Sequence, residues 1–322
     1  MDNCEYESHC SIKLLTGNSN PELARGISER LGIPIARAEA RHFADGEVCV
    51  DIYDTVRNCD VFIIQSTCPP VNDSLMELLL LIDACKRASA GRIFAVIPYY
   101  GYARQDRKAR PREPIAAKLV ADMLTVAGCS AVLTMDLHAR QIQGFFDIPV
   151  DHLVGVPVLA QHYLDRHFQG SDLVVVSPDL GSVSRARSFA NRLGAPMAII
   201  DKRRPEPNKS EVMNIIGEIR DKRTIIIDDL IDTGGTFFNC ANALKERGAK
   251  EIYACATHGV LSNDAAQRFQ DSVIKELVIL DTIPLPENKR LPKIRVLTAA
   301  DIFARAIHTI IVDDEMSKLT EN

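Results

Sequence analysis

The sequence predicts an α/β protein of two domains with largely parallel sheets. Three observations carry that prediction. Short apolar runs alternate with longer amphipathic segments, the order expected of strand–helix–strand units. Proline and glycine punctuate the amphipathic segments as helix starts and stops. The chain has 322 residues, more than one ordinary domain, and its 46% apolar content is enough for two cores.

In chain order, Asn20 and Pro21 open a helix that Gly32 closes. Asp73 opens a long helical segment over 74–90 that ends at Gly91, and Pro114 opens another that ends at Gly128. Strand-like runs lie between them at 61–65, 92–97 and 131–135. Gly144, Pro149, Gly155 and Pro157 then interrupt the pattern, which predicts a domain boundary and domains over 11–154 and 155–312. The second half repeats the alternation, with strands at 173–176, 197–200, 224–227, 252–256 and 277–280 and helices at 182–193, 235–247 and 299–310. The likeness of the halves hints at a duplicated architecture.

Composition excludes several classes. A net charge of −5 does not suit a surface built for nucleic acid or for an anionic membrane, so an anionic substrate must meet a local basic cluster. No apolar stretch approaches the length of a transmembrane helix, and the polar first ten residues do not read as a signal peptide. Nine scattered cysteines without CxxC spacing read as reduced thiols of a cytoplasmic protein.

The strongest local signal is Thr-Ile-Ile-Ile-Asp-Asp-Leu-Ile-Asp-Thr-Gly-Gly-Thr at 224–236. A buried strand runs into two carboxylates, then a small-residue loop, then a helix. Gly234 and Gly235 allow the backbone to approach a ligand closely, and free N–H groups at the helix start can cradle a phosphate. The hydroxyls of Thr233 and Thr236 add donors. Asp228 and Asp229 offer hard oxygen acceptors to sugar hydroxyls or to magnesium. A second cluster, Pro-Tyr-Tyr-Gly-Tyr-Ala-Arg-Gln-Asp-Arg-Lys-Ala-Arg-Pro-Arg-Glu-Pro at 98–114, packs four arginines and Lys108 beside three tyrosines. Guanidinium stacking on adenine and charge for phosphates would suit a nucleotide, although a basic run alone reads more simply as a solvated loop. Neither a Walker A sequence nor GxGxxG is present, so a nucleotide must be held by other means.

Residues 224–236 resemble the motif with which the phosphoribosyltransferase superfamily binds 5-phosphoribosyl 1-diphosphate. The stretch at 98–114 resembles a signature of the ribose-phosphate diphosphokinases. So do Arg-His-Phe-Ala-Asp-Gly-Glu at 41–47, Met-Asp-Leu-His-Ala at 135–139, Gln-Ile-Gln-Gly-Phe-Phe-Asp-Ile-Pro-Val-Asp at 141–151, Val-Ser-Pro-Asp at 176–179 and Asp-Lys-Arg-Arg-Pro at 201–205. The resemblance is collinear over roughly 13–310. It implies two tandem type-I phosphoribosyltransferase-like domains, each a mainly parallel sheet flanked by helices, with the active site between them. It implies Mg2+-dependent transfer of the diphosphate of ATP to the 1-hydroxyl of ribose 5-phosphate, for nucleotide, histidine and tryptophan biosynthesis.

By the same resemblance, Phe43 and Arg104 sandwich adenine, with Asp45, Glu47, Gln105 and Asp106 nearby, and His138 helps to hold ATP and its metal. Asp179, also a metal ligand, opens a diphosphate loop that continues through Leu180, Gly181 and Ser182. Asp228 and Asp229 face the ribose, and Asp232, Thr233, Gly234, Gly235 and Thr236 hold its 5-phosphate. Lys202 and Arg204 serve the chemical step. The resemblance also implies a homo-oligomer, a hexamer built from dimers, with the adenine site completed across a dimer interface.

Three features depart from the family pattern. Ser182 stands where a glycine is common, and Leu180 where a histidine or a small residue is common. Arg140 replaces a small or polar residue, and 312–322 is acidic and polar, so catalysis is expected without ordinary phosphate activation and ADP inhibition. Two other readings are weighed. A non-catalytic regulatory homologue would lack some of His138, Lys202, Arg204, Asp228 and Asp229, all of which are present. A phosphoribosyltransferase would need a base-recognition hood and would not need the loop at 98–114.

Overall fold

Strands that pair in parallel need a crossover between them, and the amphipathic segments supply it. The computed structural model describes residues 12–203 and 212–319. The first unit contains β1 (Ile12–Thr16), α1 (Pro21–Leu31), β2 (Ala38–His42), β3 (Val48–Ile52), β4 (Asp60–Ile64), α2 (Val71–Arg87), β5 (Arg92–Ile97), α3 (Ala116–Ala127), β6 (Ala131–Met135) and β7 (Val150–Leu153). Its main sheet is wholly parallel in the order β1-β4-β5-β6-β7. β2 and β3 form a separate antiparallel hairpin.

Helix ends follow the punctuation. The Asn20 side chain accepts the Leu23 N–H at 3.3 Å, Pro21 opens α1, and Gly32 leaves it at φ 68°. The second helix starts earlier than the sequence suggests, at Val71 directly after Pro70. Asp73 therefore sits inside its first turn, where a carboxylate still complements the helix dipole. Buried faces of α2 and α3, including Leu78, Ile82, Val120 and Leu124, cover the apolar residues of β4 and β5.

The second unit contains α4 (Val156–Leu164), β8 (Leu173–Ser177), α5 (Val183–Arg192), β9 (Met197–Arg203), β10 (Val212–Ile216), β11 (Arg223–Ile231), α6 (Gly235–Glu246), β12 (Glu251–Gly259), α7 (Ala265–Asp271), β13 (Leu277–Leu280) and β14 (Ile294–Leu297). Its sheet order is β10-β9-β8-β11-β12-β13-β14, parallel except for β10 against β9. On one face Tyr163 is fully buried beside Phe168 and Phe189. On the other, Phe237 and Phe238 pack on Phe269. The order β8-β11-β12-β13-β14 repeats β1-β4-β5-β6-β7, so the likeness of the two halves reflects one strand plan used twice.

Two sequence expectations change. β11 continues through Asp228 and Asp229 to Ile231, because β12 is equally long and its Ala256, His258 and Gly259 pair with Asp228, Leu230 and Ile231. The acids thus lie within a strand rather than beyond it. The last helix, α8 (Ala300–Ile311), falls by sequence in a domain spanning 155–312. It groups instead with the first unit, which runs to Leu153 and resumes at Ala300, while the second spans Val154–Ala299. The cause is packing: α8 buries Ile302, Phe303 and Ile307 and lies against α1. Among the described residues the cysteines form no disulfide with one another, and no helix is long and apolar enough to cross a membrane.

Gly26 permits the close approach of α1 and α8, since a Cβ there would stand 3.1 Å from the Ala300 Cβ. Gly26→Val should therefore destabilise the protein by about 1–3 kcal/mol, as overpacking does. Urea unfolding of the two proteins measures this. An unchanged midpoint would mean that α8 does not hold to α1 in solution.

Candidate functional site

Strands in parallel register end on the same edge of a sheet, and loops that leave that edge meet one another. In the second unit β8 pairs with β11, so the turn after Ser177 stands beside the carboxyl end of β11. The turn is built on its own first residue: Ser177 Oγ donates to the Asp179 carbonyl at 2.7 Å, and the Ser182 N–H donates to Asp179 Oδ1 at 3.0 Å. Gly181 lies within that loop, where an added Cβ would sit 3.3 Å from the same oxygen. Leu180 projects into solvent, 69% exposed. Ser182 is buried, and its hydroxyl donates across to Asp228 Oδ1 at 2.5 Å. The structure thus brings the loop 179–182 together with Asp228.

Asp228 and Asp229 sit side by side, and the Asp229 N–H donates to Asp228 Oδ1 at 2.9 Å. Arg185 on α5 approaches both, at 3.6 Å from Asp228 and 3.7 Å from Asp229. The guanidinium thus lies at ion-pair distance from both carboxylates, of which Asp229 is buried and Asp228 half-buried. Burial above all, then the neighbouring Asp229 charge, push the Asp228 carboxyl up to about 7, against the pull of Ser182 and Arg185. Arg185 is absent from the residues singled out by sequence. Its signal was spacing, three residues after Ser182 in the first turn of a helix and so on the same face.

Beyond β11, Gly234 adopts φ 75° and starts α6. A Cβ there would meet the Phe238 ring at 2.7 Å and the Phe269 ring at 3.0 Å, so conformation and space both require glycine. Arg268 stacks over Phe238 at 4.4 Å and donates to the Thr233 carbonyl at 3.4 Å, while Ser262 N–H holds the Asp232 carbonyl at 3.1 Å. Thr233 is exposed, and Gly235 and Thr236 are half-buried at the helix start. The turn leads directly into α6, whose first backbone N–H groups are of the kind that can bind a phosphate.

The first unit carries the other cluster. The turn after β5 is pinned by Thr67, whose Oγ1 donates to the Tyr99 carbonyl at 3.1 Å and accepts the Gly101 N–H at 2.6 Å. A cavity of about 510 Å³ opens there, lined by Asn72, Asp73, Tyr99, Tyr102, Arg104 and Gln105 among others. Asp106 accepts from the Gln141 side chain at 3.0 Å. Phe43 is at the tip of the β2–β3 hairpin, 56% exposed and outside the cavity wall. Asp45 and Glu47 share that tip, where the Glu47 N–H donates to Asp45 Oδ1 at 3.1 Å. His138 is exposed after β6, beyond Asp136, which holds a left-handed φ of 39°. Arg140 is likewise exposed, at the start of a 3-10 turn. The Lys202 backbone belongs to β9, opposite Met213, but its side chain lies outside the described residues, as does all of Arg204.

Residues 12–128 match the model of the N-terminal domain of ribose phosphate pyrophosphokinase, and residues 204–321 match that of the phosphoribosyl synthetase-associated domain. The ribose-phosphate pyrophosphokinase of Clostridium perfringens is 62% identical across 98% of this chain and 100% of its own length. The chain belongs to the ribose-phosphate pyrophosphokinase family. It is accordingly an enzyme of that class, a diphosphokinase of ribose phosphate. The Caldanaerobacter subterraneus relative is 61% identical over 96% of this chain and 98% of its own. The crystal structure of phosphoribosylpyrophosphate synthetase from Mycobacterium smegmatis agrees in fold, with a TM-score of 0.89, 43% identity, and coverage of 94% of this chain and 99% of that one. For a pyrophosphokinase, the second unit's layout has a chemical sense: an acidic pair that can take sugar hydroxyls beside a turn that can take phosphate.

The raised Asp228 carboxyl predicts a pH dependence of stability. Its folded pKa, about 7, exceeds the value of 3.8 expected of a free carboxylate, so the native state binds this proton more tightly than the unfolded chain does. Stability from this group is present below about pH 4 and is lost as pH rises through 7. Asp228→Asn keeps the acceptor for Ser182 but cannot ionise. It should therefore unfold with a smaller loss of stability between pH 5 and 8, the difference being about 1–4 kcal/mol. Equal slopes in urea titrations of both proteins would refute the assignment.

Proposed function

We propose that this pyrophosphokinase transfers the β,γ-diphosphate of ATP to the 1-hydroxyl of ribose 5-phosphate, giving 5-phospho-α-D-ribose 1-diphosphate and AMP. One observation carries the reading: the loop 179–182 and the Asp228–Asp229 pair are joined through Ser182 on neighbouring parallel strands. A sugar phosphate is assigned there in one orientation. Its 5-phosphate takes the turn of Asp232, Thr233, Gly234, Gly235 and Thr236, and its hydroxyls donate to Asp228 and Asp229. The anomeric oxygen is then directed toward the loop of Asp179, Leu180, Gly181 and Ser182, which is assigned to receive the diphosphate.

ATP is assigned to the first unit. Arg104 and Gln105, with Tyr99 and Tyr102, line a cavity of a size suited to a nucleoside. Asp106 and His138 flank its phosphates in this assignment. Phe43, exposed on its hairpin with Asp45 and Glu47, is assigned to close the adenine site of a second copy in a homo-oligomer, a hexamer of dimers. The rival reading as a phosphoribosyltransferase leaves this cavity and its guanidinium without a use.

The residues present can be weighed against a magnesium ion. Among the described residues no group of three or more His, Cys, Asp or Glu forms a metal cage. Magnesium does not need one, because it keeps several waters and takes its other oxygens from substrate phosphates. The neighbouring carboxylates of Asp228 and Asp229 suit a hard cation, and Asp179 in its own unit and His138 in the other are each assigned as a metal ligand. Bound there, the ion would neutralise charge on the phosphate oxygens.

The chain's own residues do the rest. Asp228 and Asp229 fix the sugar, the loop N–H groups stabilise charge on the transferred group, and Lys202 and Arg204 bring cations to the leaving oxygen. No covalent intermediate is required. Purified protein with ATP, magnesium and ribose 5-phosphate should form AMP only when the sugar phosphate is present. Formation of ADP would overturn the mechanism. Lys202→Ala should lower kcat by about 10²-fold or more while ATP affinity changes by less than about threefold. Rapid-quench and equilibrium binding assays read the two effects apart.

A further inference from the structure

The repeated strand plan allows the two units to be compared residue by residue. Ile12 pairs with Asp60 in one unit, and Leu173 with Arg223 in the other. Counting along from those starts carries Asn18 onto Asp179 and Gln65 onto Asp228. A serine bridges the two segments in both units, though from different positions, since the same count carries Ser19 onto Leu180: Ser19 Oγ donates to Gln65 Oε1 at 2.7 Å, and Ser182 donates to Asp228. Yet the first unit has amides where the second has carboxylates, and its crevice is filled from within by Glu77 of α2.

Glu77 is 4% exposed and Gln65 fully buried. The Glu77 carboxylate accepts the Asn18 N–H, the Gln65 Nε2–H at 3.0 Å and the Asn18 Nδ2–H at 3.0 Å. A Cβ on Gly17 would fall 2.3 Å from Glu77 Oε1 and 2.4 Å from Gln65 Oε1, so the loop closes tightly over the cluster. Asn18 Nδ2 also donates to the Ala40 carbonyl at 2.8 Å. Ala40 lies in β2, one strand of the hairpin that presents Phe43, Asp45 and Glu47. A buried carboxylate thus orients an amide that grips the hairpin backbone from the body of the unit.

We propose that Asn18, Gln65 and Glu77 are positioning residues that set the β2–β3 hairpin for nucleotide binding and take no part in the chemistry. The proposal rests on the reading of Phe43 as an adenine contact. Glu77→Gln puts an NH2 where carboxylate oxygen now accepts, leaving at least one amide donor unmatched. Asn18→Ala removes the grip on Ala40 with less disturbance of the core, and decides the matter if Glu77→Gln does not fold.

The test is steady-state kinetics of these variants beside Phe43→Ala. Loss of one such hydrogen bond should raise KM for ATP about fivefold, with kcat and KM for ribose 5-phosphate within about twofold of the parent. A second readout exploits the absence of tryptophan from the chain. In a Phe43→Trp background, the indole anisotropy should fall on adding Asn18→Ala, since the hairpin tip gains freedom. If Phe43→Ala raises KM for ATP but Asn18→Ala changes neither that KM nor the anisotropy, the positioning role is overturned and the nucleotide reading stands. If Asn18→Ala lowers kcat for both substrates with no selective KM effect, the cluster is merely structural and the proposal fails. If Phe43→Ala leaves KM for ATP unchanged, the nucleotide reading itself falls, and this proposal with it.

Discussion

The second unit's site depends on one constraint, the parallel register of β11 with β8. The register sets which residues of two segments some fifty positions apart emerge side by side at the sheet edge. It places Ser182 within reach of Asp228 and brings Arg185 to both carboxylates. Side chains alternate along a strand, so a slip of one residue would turn Asp228 to the opposite face and present its neighbours instead. The pairing of β11 with β12 beyond Asp228 reinforces the register where it matters.

What the register assembles is electrostatically uneasy. Two carboxylates share a buried position with one guanidinium, and burial raises the cost of the second negative charge. A fold selected for stability alone would not keep such a pair. Hydroxyl donors and positive charge, which the proposed sugar phosphate and a hard cation would bring, would relieve the discomfort. The same donors in bulk water would need to be organised during the reaction; here the acceptors stand ready. The rings of Phe238 and Phe269 hold the adjoining turn just as firmly, by leaving no room for a side chain at Gly234.

Much of this was legible in the sequence because it is local. The run from Thr224 to Thr236 holds strand, acids, turn and helix start in one stretch, and glycine at 234 has the left-handed geometry that its residue type suggests. Helix limits at Pro21 and Gly128 were readable for the same reason. What is not local was hidden. Arg185 reads as an ordinary helix residue until α5 is placed over β11. The hairpin strands were not legible because β2, Ala-Glu-Ala-Arg-His, offers only two small apolar residues, and neither it nor β3 has a fully buried position. The amphipathic pattern of α8 says that it must cover a core, but not which one, and proximity in sequence pointed to the wrong unit.

The use of one strand plan twice raises the question of why only the second copy has the acidic pair. Strand order does not distinguish them: β1 pairs with β4 in parallel as β8 does with β11. The difference lies in the charge of the side chains at the matched positions. Asp228 and Asp229 crowd negative charge at an open strand end. In the first unit, Gln65 can both donate and accept, and Glu77 is met by three N–H groups, so the corresponding space is filled and its polar demands are met within the chain. A crevice satisfied from within has little to gain from a phosphate, whereas one left with excess charge gains from every donor or cation that enters. On the proposed reading, one strand plan serves as an internally bonded anchor in one half and as a binding site in the other, with amide and carboxylate exchanged at matched positions.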